Sequence, residues 1–442
     1  MNTKIKKHLS SSQIIIFGFV GAIILGAILL MLPISSASGK ITPFRDAIFT
    51  STSAVCVTGL VVKDTATYWS MFGQFVILLM IQIGGLGIVT LSVAMAMIAG
   101  RKIGLMQRST LQDAISAPKV GGIVKLTGFI LRTTFIIEFI GAVILSTVFC
   151  KDFGVKGIWL GIFHSVSAFC NAGFDLMGTR TQFSSLTTYS TQPLVNIVIM
   201  LIIVIGGIGF LVWEDIKTNK YHIKKYRMQT KVVLSTTLFL IVVPSIYFFF
   251  AEFNKFPVSE RILLSLFQTI TPRTAGFNTA DLSQLSSVGH AITIILMLIG
   301  GSPGSTAGGM KTTTVAMLVF SSVSVFCKKD NVECFNRRID DAVIKTAAAI
   351  LLMYIMLFTT SGLIISSIEN LPLLDCLYET ASAIGTVGLT LGITPSLGLV
   401  SRAILICLMF FGRAGGLTIV FAAVSHTRQN ISKKPQEKIT VG

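Results

Sequence analysis

The chain has 442 residues, of which 52% are hydrophobic and only 12% are charged, and its mean hydropathy is +0.79. Soluble domains carry about 25% charged residues, so this composition excludes an ordinary soluble domain and indicates a polytopic membrane protein. The formal net charge of +17 would suit a nucleic-acid-binding protein unless the basic residues follow membrane topology instead.

Eight apolar runs are candidate membrane spans. The first, Ile14 to Leu32, follows three lysines as a secretory signal does, but it is longer than the apolar core of about 7 to 15 residues in such signals. It is therefore predicted to be a retained transmembrane helix. The eight runs fall near residues 13–33, 71–99, 126–149, 193–214, 231–251, 288–300 continuing through 312–327, 342–367 and 399–424.

The basic residues follow these spans. With the N-terminus inside, 23 of the 36 lysines and arginines fall on inner segments and eight fall on outer segments. This asymmetry is the positive-inside pattern of membrane proteins. It accounts for the excess positive charge without nucleic acid, and it predicts that both termini are cytoplasmic.

A short amphipathic segment lies between the two spans of each successive pair. As helices of about 16 to 20 Å, these segments can enter a bilayer core of about 30 Å but cannot cross it. The four are Phe44–Val55, Gly157–Phe169, Ser259–Ile270 and Leu373–Ala383. Each is followed by a small-residue, glycine, hydrophobic phrase on the outer side of the membrane, and the four phrases read VCVTGL, FCNAGF, PRTAGFN and IGTVGLT.

This internal repetition predicts the fold class. We expect an all-α polytopic membrane protein in which four pseudo-symmetric helix–pore loop–helix repeats, with eight transmembrane helices and four re-entrant half helices, surround one central pore. The second span of each repeat also carries a glycine cluster, IGGLG, IGGIG, IGGSPG or FGRAGG. The predicted repeats are 1–100, 120–216, 229–328 and 341–426, with pore loops at 44–62, 157–175, 259–279 and 373–390 and a cytoplasmic tail over 427–442.

Four half helices that stop in mid-membrane would point their carbonyl ends, each with about −0.5 charge, toward one axis. Such an arrangement favours a cation, and the backbone carbonyls of the glycine phrases can replace its hydration shell. The predicted selectivity filter therefore consists of Val57, Thr58, Gly59, Asn171, Ala172, Gly173, Thr274, Ala275, Gly276, Thr386, Val387 and Gly388.

The sixth span contains LIGGSPGSTAGGMKTTT, which cannot form a continuous helix. Polar, non-helical backbone at that depth must line a cavity or be buried in protein, so the segment 300–312 is predicted to be a gate loop just inward of the filter. A simple kink is the alternative. The gate residues are Gly300, Gly301, Ser302, Pro303, Gly304, Ser305, Thr306, Ala307, Gly308 and Gly309.

Charged side chains near the filter and gate receive separate predictions. Arg413, in mid-span of the last helix, either raises the energy of a passing cation or caps loop carbonyls, and the two roles are compatible. Lys311 is either a second barrier or a side chain that extends to the inner surface. His164, Arg273 and Glu379 are expected to brace the pore loops. Carboxylates on or beside the half helices are expected to make the outer mouth slightly negative, and they are Asp46, Asp175, Asp281, Asp375 and Glu379.

The four phrases, in this order, resemble the pore-loop signatures of the Trk/Ktr/HKT superfamily of potassium transporters, and the short eight-span chain is similar to the membrane subunit of Ktr-type bacterial systems. The resemblance implies a homodimer with one pore per protomer on a cytoplasmic nucleotide-binding regulatory ring of the RCK/KTN type. It also implies an intramembrane gate loop beside an arginine. All four signature glycines are present, which in this family points to K⁺ held by the backbone carbonyls of the filter.

The resulting functional prediction is potassium uptake across the bacterial cell membrane by the ion-conducting subunit of a Ktr-type system. Dependence on Na⁺, as a coupling or activating ion, stays open, as does the choice between a channel and a symporter. Membrane lipid is an expected partner, nucleic acid is not, and no covalent cofactor is expected. An enzyme is the first alternative, but the chain has no nucleophile elbow, HExxH or P-loop motif. The second alternative is a secondary transporter of an organic solute.

Overall fold

The computed structural model describes residues 10–99, 103–115 and 121–416. The predicted tail over 427–442, parts of the predicted first and fourth repeats, and the first residue of the predicted second repeat lie outside these residues. The α-helices are α1 (Ser11–Met31), α2 (Phe44–Val55), α3 (Thr65–Tyr68), α4 (Met71–Leu86), α5 (Ile88–Ile98), α6 (Leu105–Ile115), α7 (Ile123–Phe153), α8 (Lys156–Phe169), α9 (Pro193–Gly207), α10 (Phe210–Asn219), α11 (Met228–Tyr247), α12 (Val258–Ile270), α13 (Ser287–Leu298), α14 (Thr312–Phe326), α15 (Asp341–Glu369), α16 (Leu373–Gly385) and α17 (Leu399–Ala414).

The long apolar helices correspond to the predicted spans. Among the described residues, α1, α7, α15 and α11 with its π-helical continuation Phe248–Glu252 are each long and apolar enough to cross a membrane. The pairs α4 with α5 and α9 with α10 are two further candidates. The sixth predicted span is divided between α13 and α14, and the eighth begins as α17. The predicted all-α membrane fold is confirmed, and the only strands in the described part form a hairpin of β1 (Glu333–Cys334) and β2 (Arg337–Arg338).

Two predicted spans are not straight. The apolar runs 71–99 and 193–214 bend by 96° between α4 and α5 and by 95° between α9 and α10. The breaks fall at Gly87, with φ of +83°, and at Gly209, with φ of +97°. A side chain disfavours that backbone conformation. The glycine clusters of the first two repeats therefore end α4 and α9, in addition to allowing close contact between helices.

The four short helices lie where the sequence predicts them, as α2, α8, α12 and α16. Three of them begin directly after a proline, which cannot donate to a preceding turn, and place an acidic residue in their first turn, where it complements the helix dipole. These proline and acid pairs are Pro43 with Asp46, Pro257 with Glu260, and Pro372 with Asp375.

The half helices occupy the centre of the protein and the long helices surround them. Every residue of α2 from Phe49 to Val55 is buried, whereas α1 and α7 expose large apolar side chains such as Leu25 and Phe139. Helix α17 packs against α2. The last repeat therefore contacts the first, and the repeats close around the half helices.

Candidate functional site

The four signature glycines form a closed ring of contacts. Each packs against the carbonyl oxygen of the residue that precedes the signature glycine in the next repeat, so closely that a Cβ would come within 3 Å of that oxygen. The pairs are Gly59 with Ala172, Gly173 with Ala275, Gly276 with Val387, and Gly388 with Thr58. Because the fourth pair returns to the first repeat, the predicted filter residues surround a single axis.

The backbone of the four phrases repeats one conformation. Each signature glycine has a positive φ, between +67° and +95°. The residue two positions earlier also has a positive φ, although it is not glycine, and these residues are Val57 (57°), Asn171 (57°), Thr274 (79°) and Thr386 (51°). A left-handed conformation costs such residues of order 1 kcal/mol or more, and strain of this kind concentrates at functional sites.

A serine six residues before the glycine anchors three of the phrases, and sequence reasoning missed it. In each case the serine carbonyl accepts a hydrogen bond of 2.8 Å from the residue just before the glycine. The pairs are Ser53 with Thr58, Ser167 with Ala172, and Ser382 with Val387. The repeated Ser-Ala dipeptide at this spacing was the available signal.

The third phrase departs from this pattern. Thr271, one position closer to the glycine, accepts hydrogen bonds from Ala275 (2.9 Å) and Gly276 (3.3 Å). The side chains of Asn171 and Thr274 are hydrogen-bonded to each other at 3.1 Å, which ties the second phrase to the third. The ring is therefore fourfold in backbone trace but asymmetric in its supporting contacts.

Three charged or titratable side chains lie behind the ring, as the sequence predicts. His164 contacts the Leu160 carbonyl through Nδ1 at 2.7 Å and accepts from the Leu176 N–H at 3.4 Å. Glu379 is fully buried and accepts hydrogen bonds from the hydroxyl groups of Thr390 (2.9 Å) and Thr394.

The remaining side chain of the three, Arg273, belongs to the pore loop of the third repeat. Arg273 is 6% exposed and donates to the Thr237 hydroxyl on α11 at 3.3 Å. Since Thr237 lies on a long outer helix, the guanidinium is directed away from the ring. His164 thus contacts pore-loop backbone, whereas Glu379 and Arg273 bind threonine hydroxyl groups away from the ring.

The predicted gate loop is a non-helical segment between α13 and α14, not a kink within one helix. Its N–H groups donate to the glycine clusters of the second and fourth repeats. These bonds join Ser302 to Gly207 (2.9 Å), Thr306 to Gly206 (3.3 Å) and Gly309 to Gly412 (3.3 Å). The Thr306 hydroxyl also donates to the carbonyl of Phe169, the last residue of α8, at 3.0 Å. The loop therefore lies against the inner end of a half helix.

Arg413 and Lys311 both donate hydrogen bonds to backbone carbonyls. The Arg413 guanidinium contacts the Thr306 carbonyl of the gate loop, the Gly84 carbonyl, and at 3.1 Å the Gly85 carbonyl. The Lys311 ammonium contacts the Ala307 carbonyl at 2.8 Å. Arg413 thus caps carbonyls, as one of its two predicted roles requires, and Lys311 turns onto the loop instead of extending to the inner surface.

A cavity of about 210 Å³ lies between α6 and the gate loop. Asp113 of α6 lines it together with Lys311 and Arg413. The backbone of α6 approaches the loop closely, because a Cβ at Gly304 would come within 3 Å of the Ile115 carbonyl oxygen. Sequence reasoning treated this segment as an inner loop, so α6 and its contact with the gate loop were not predicted.

Two of the five carboxylates expected to make the outer mouth negative, Asp46 and Glu379, are buried. Asp46 is 3% exposed and accepts a hydrogen bond of 2.9 Å from Arg402. Glu379 is buried and accepts from the hydroxyl groups of Thr390 and Thr394. Asp281 caps a short turn by accepting from the Ser283 N–H at 3.0 Å. Asp46 and Glu379 therefore stabilise the surrounding structure, and their contribution to a negative vestibule is smaller than expected, whereas Asp281 stays exposed.

Comparison with known proteins places the chain in a family. Residues 6–434 match the model of TrkH, described as a cation transport protein. The potassium/sodium uptake protein NtpJ of Enterococcus hirae is 40% identical over 455 aligned positions, covering 100% of this chain and 99% of that protein. The Ktr system potassium uptake protein B of Bacillus subtilis is 38% identical over 435 aligned positions, which cover 97% of this chain and 96% of that protein.

The fold has a counterpart among solved structures. The potassium transporter TrkH from Vibrio parahaemolyticus superposes with a TM-score of 0.72 over 97% of this chain and 87% of that chain, at 19% identity. The matches confirm the predicted resemblance and the choice of a transport protein over an enzyme. The chain therefore belongs to the TrkH family of cation transport proteins.

Proposed function

We propose that this chain takes up K⁺ through one central pore, as the ion-conducting subunit of a Ktr-type system. The closed ring of the four signature glycines carries the proposal. Four carbonyl-bearing phrases around one axis can supply the oxygen ligands that replace the water around a monovalent cation. The carbonyl ends of four half helices add a favourable potential for positive charge at the same axis.

The names of the relatives support the choice of ion. The E. hirae relative is a potassium/sodium uptake protein, and the B. subtilis relative is a potassium uptake protein. We take K⁺ as the principal ion because glycine occupies all four signature positions. Na⁺ is the second candidate, as a transported, coupling or activating ion, and the first of these names favours it.

The gate loop over 300–312 controls this pathway in our proposal. Its support is the position of Thr306, which contacts both the inner end of α8 and the Arg413 guanidinium. Deletion of Gly304–Gly309 should raise basal flux in proteoliposomes, because it removes the obstruction. Flux at or below that of the unaltered protein, in a variant with normal unfolding behaviour, would reject the gate.

The assembly follows from the Ktr names, since the B. subtilis relative is one component of a system. We propose a homodimer in the cell membrane, with both termini cytoplasmic and a nucleotide-binding regulatory ring of the RCK/KTN type on the inner side. The four repeats each contribute one half helix and one phrase to the pore of a single protomer.

The deciding experiment measures ⁴²K⁺ and ²²Na⁺ uptake in a bacterium that lacks its own potassium transport, with and without a co-expressed regulatory subunit. We expect K⁺ uptake and growth at low K⁺, with stronger control when the regulatory subunit is present. Membrane-inserted protein that moves neither ion, and is not protected from thermal unfolding by K⁺ or Rb⁺, would instead favour the transporter of an organic solute.

A further inference from the structure

A groove on the inner side of the protein has no role in the proposed ion pathway. It has a volume of about 590 Å³ and lies between the first turns of α11, the residues just before that helix, and the tip of the β1–β2 hairpin. Lys224, Lys231, Leu234, Ser235, Leu238 and Phe335 are among the residues that line it. We call these six residues the basic groove.

Two lysines, Lys224 and Lys231, line the cytoplasmic end of the basic groove. Lys231 donates one hydrogen bond to the Lys224 carbonyl at 3.0 Å, and its ammonium lies 6.0 Å from the centre of the Phe335 ring. An ammonium has three donors, so two remain for a ligand. Among the ion pairs of the described residues, none includes Lys224 or Lys231.

The acidic residues closest along the chain are engaged elsewhere. Asp215 accepts from the Arg227 N–H at 2.9 Å and from Asn219 at 2.8 Å. Glu214 pairs with the Arg227 guanidinium at 3.4 Å. The cytoplasmic end of the basic groove is thus positively charged and lacks a neutralising partner from this segment.

The other end of the basic groove continues as an apolar track along α11, one of the membrane-crossing helices. Side chains four residues apart share one helix face, and here Leu238 is 63% exposed, Val242 44% and Ile246 54%. The track from residue 234 to residue 246 extends for about 18 Å at 1.5 Å per residue. Phe335, 48% exposed, adds an aromatic ring at its cytoplasmic end, where such rings favour the membrane interface.

We propose that the basic groove binds an anionic phospholipid, with its phosphate between Lys224 and Lys231 and one acyl chain along Leu234 and Leu238. Charge and shape both select this occupant. A cytoplasmic protein cannot follow the apolar track into the membrane, and a second copy in a twofold contact would bring the same unpaired lysines together.

The test titrates palmitoyl-oleoyl phosphatidylglycerol, with palmitoyl-oleoyl phosphatidylcholine as the neutral probe, into the full-length protein in detergent and counts bound lipid by native mass spectrometry. The double variant Lys224→Gln, Lys231→Gln should bind phosphatidylglycerol about 25-fold more weakly, since each lysine near an anionic headgroup contributes roughly fivefold. Ser235→Trp fills the groove without a change of charge, and it should also lose bound lipid.

The matched control removes two exposed lysines from the same side of the membrane but outside the groove, as Lys328→Gln, Lys329→Gln. This control should keep phosphatidylglycerol binding within about twofold of the unaltered protein. An equal loss of phosphatidylglycerol binding in both double variants would mean that diffuse surface charge, not the groove, attracts the lipid, and it would overturn the proposal. Equal binding of phosphatidylcholine and phosphatidylglycerol by the unaltered protein would also overturn it. Loss of the dimer, or of a co-purified regulatory subunit, with unchanged lipid binding would assign the groove to that partner instead.

Discussion

The Arg402 guanidinium donates a hydrogen bond of 2.9 Å to the Asp46 carboxylate, although 356 positions separate the two residues in the chain. Asp46 lies in the first turn of α2 and Arg402 in the first turn of α17, so the pair links the first half helix to the last span. A second nitrogen of Arg402 donates to the Pro395 carbonyl at 2.8 Å. A partly buried ion pair therefore joins the first repeat to the fourth.

Removing this pair should destabilise the fold. We expect Arg402→Ala to lower the free energy of unfolding by about 2 kcal/mol, because the buried Asp46 carboxylate loses its hydrogen-bonded guanidinium and keeps only Lys63 and Arg45, each at 3.9 Å. Arg45→Ala is the control, since Arg45 is 3.9 Å from the same carboxylate but its side chain is 66% exposed, and it should cost less than about 1 kcal/mol. Unfolding midpoints in detergent measure the effect of each variant. Equal midpoints for Arg402→Ala and Arg45→Ala would mean that the ion pair between Arg402 and Asp46 does not stabilise the fold.

The serine anchors offer a comparison between equivalent positions. The Ser382 hydroxyl accepts the Gly388 N–H at 3.0 Å, whereas the Ser53 hydroxyl has no partner among the described residues. Ser382→Ala should lower the free energy of unfolding by about 1 to 3 kcal/mol, since it leaves a buried N–H unsatisfied. Ser53→Ala should stay within about 0.5 kcal/mol. If both variants unfold at the same denaturant concentration, the hydrogen bond to Gly388 contributes nothing.

The signature glycines should set ion selectivity. Gly59→Ser places a side chain against the Ala172 carbonyl oxygen and should reduce the preference for K⁺ over Na⁺ by about tenfold, or about 1.4 kcal/mol. Gly39→Ser is matched in backbone conformation, with φ of +67°, but no atom lies within 4 Å of its Cβ position. It should leave selectivity unchanged. Paired ⁴²K⁺ and ²²Na⁺ uptake measures the ratio, and an unaltered ratio in the Gly59 variant would remove that glycine from the filter.

Arg413 should limit flux through its charge. At roughly 8 Å from the ion and an effective dielectric of about 20, a positive charge adds about 2 kcal/mol to the barrier, which corresponds to about 30-fold in rate. Arg413→Ala should therefore raise K⁺ flux in proteoliposomes by about that factor. Arg413→Lys keeps the charge and should stay within about threefold of the unaltered protein.

The lysine variant separates the two roles of Arg413. An unchanged or lower flux in Arg413→Ala would mean that the guanidinium only caps the carbonyls of Thr306, Gly84 and Gly85. A flux in Arg413→Lys as high as in Arg413→Ala would mean that the planar guanidinium, which lysine cannot reproduce, holds the loop closed.

Local features of the site follow from the sequence because it repeats. The half helices begin and end within two residues of their predicted bounds, since proline, an acidic residue and glycine mark these positions three or four times. The glycine phrases identify the residues that meet in the ring for the same reason. Non-helical backbone at 299–311 also follows from composition, because glycine and proline cannot maintain a helix through the membrane.

Directions and distant partners do not follow from the sequence. A hydropathy pattern does not give the direction of a helix axis, so the apolar run 71–99 did not predict the 96° bend at Gly87. The acceptors of Arg413 come from the first and third repeats, and the partner of Asp46 comes from the fourth. Such pairings depend on how the repeats close in three dimensions, and no local spacing encodes them.

The contact between Gly388 and Thr58 has a consequence for biosynthesis. The ring draws one member from near the start of the chain and its neighbour from near the end, so a ribosome must complete almost the entire protein before the fourth side can join. Until then, three phrases with an open flank stand in the bilayer, and partly made chains cannot conduct selectively. A chain that ends before Gly388 would therefore present three phrases and one open side, and it would lack the closed ring on which the proposed ion discrimination depends.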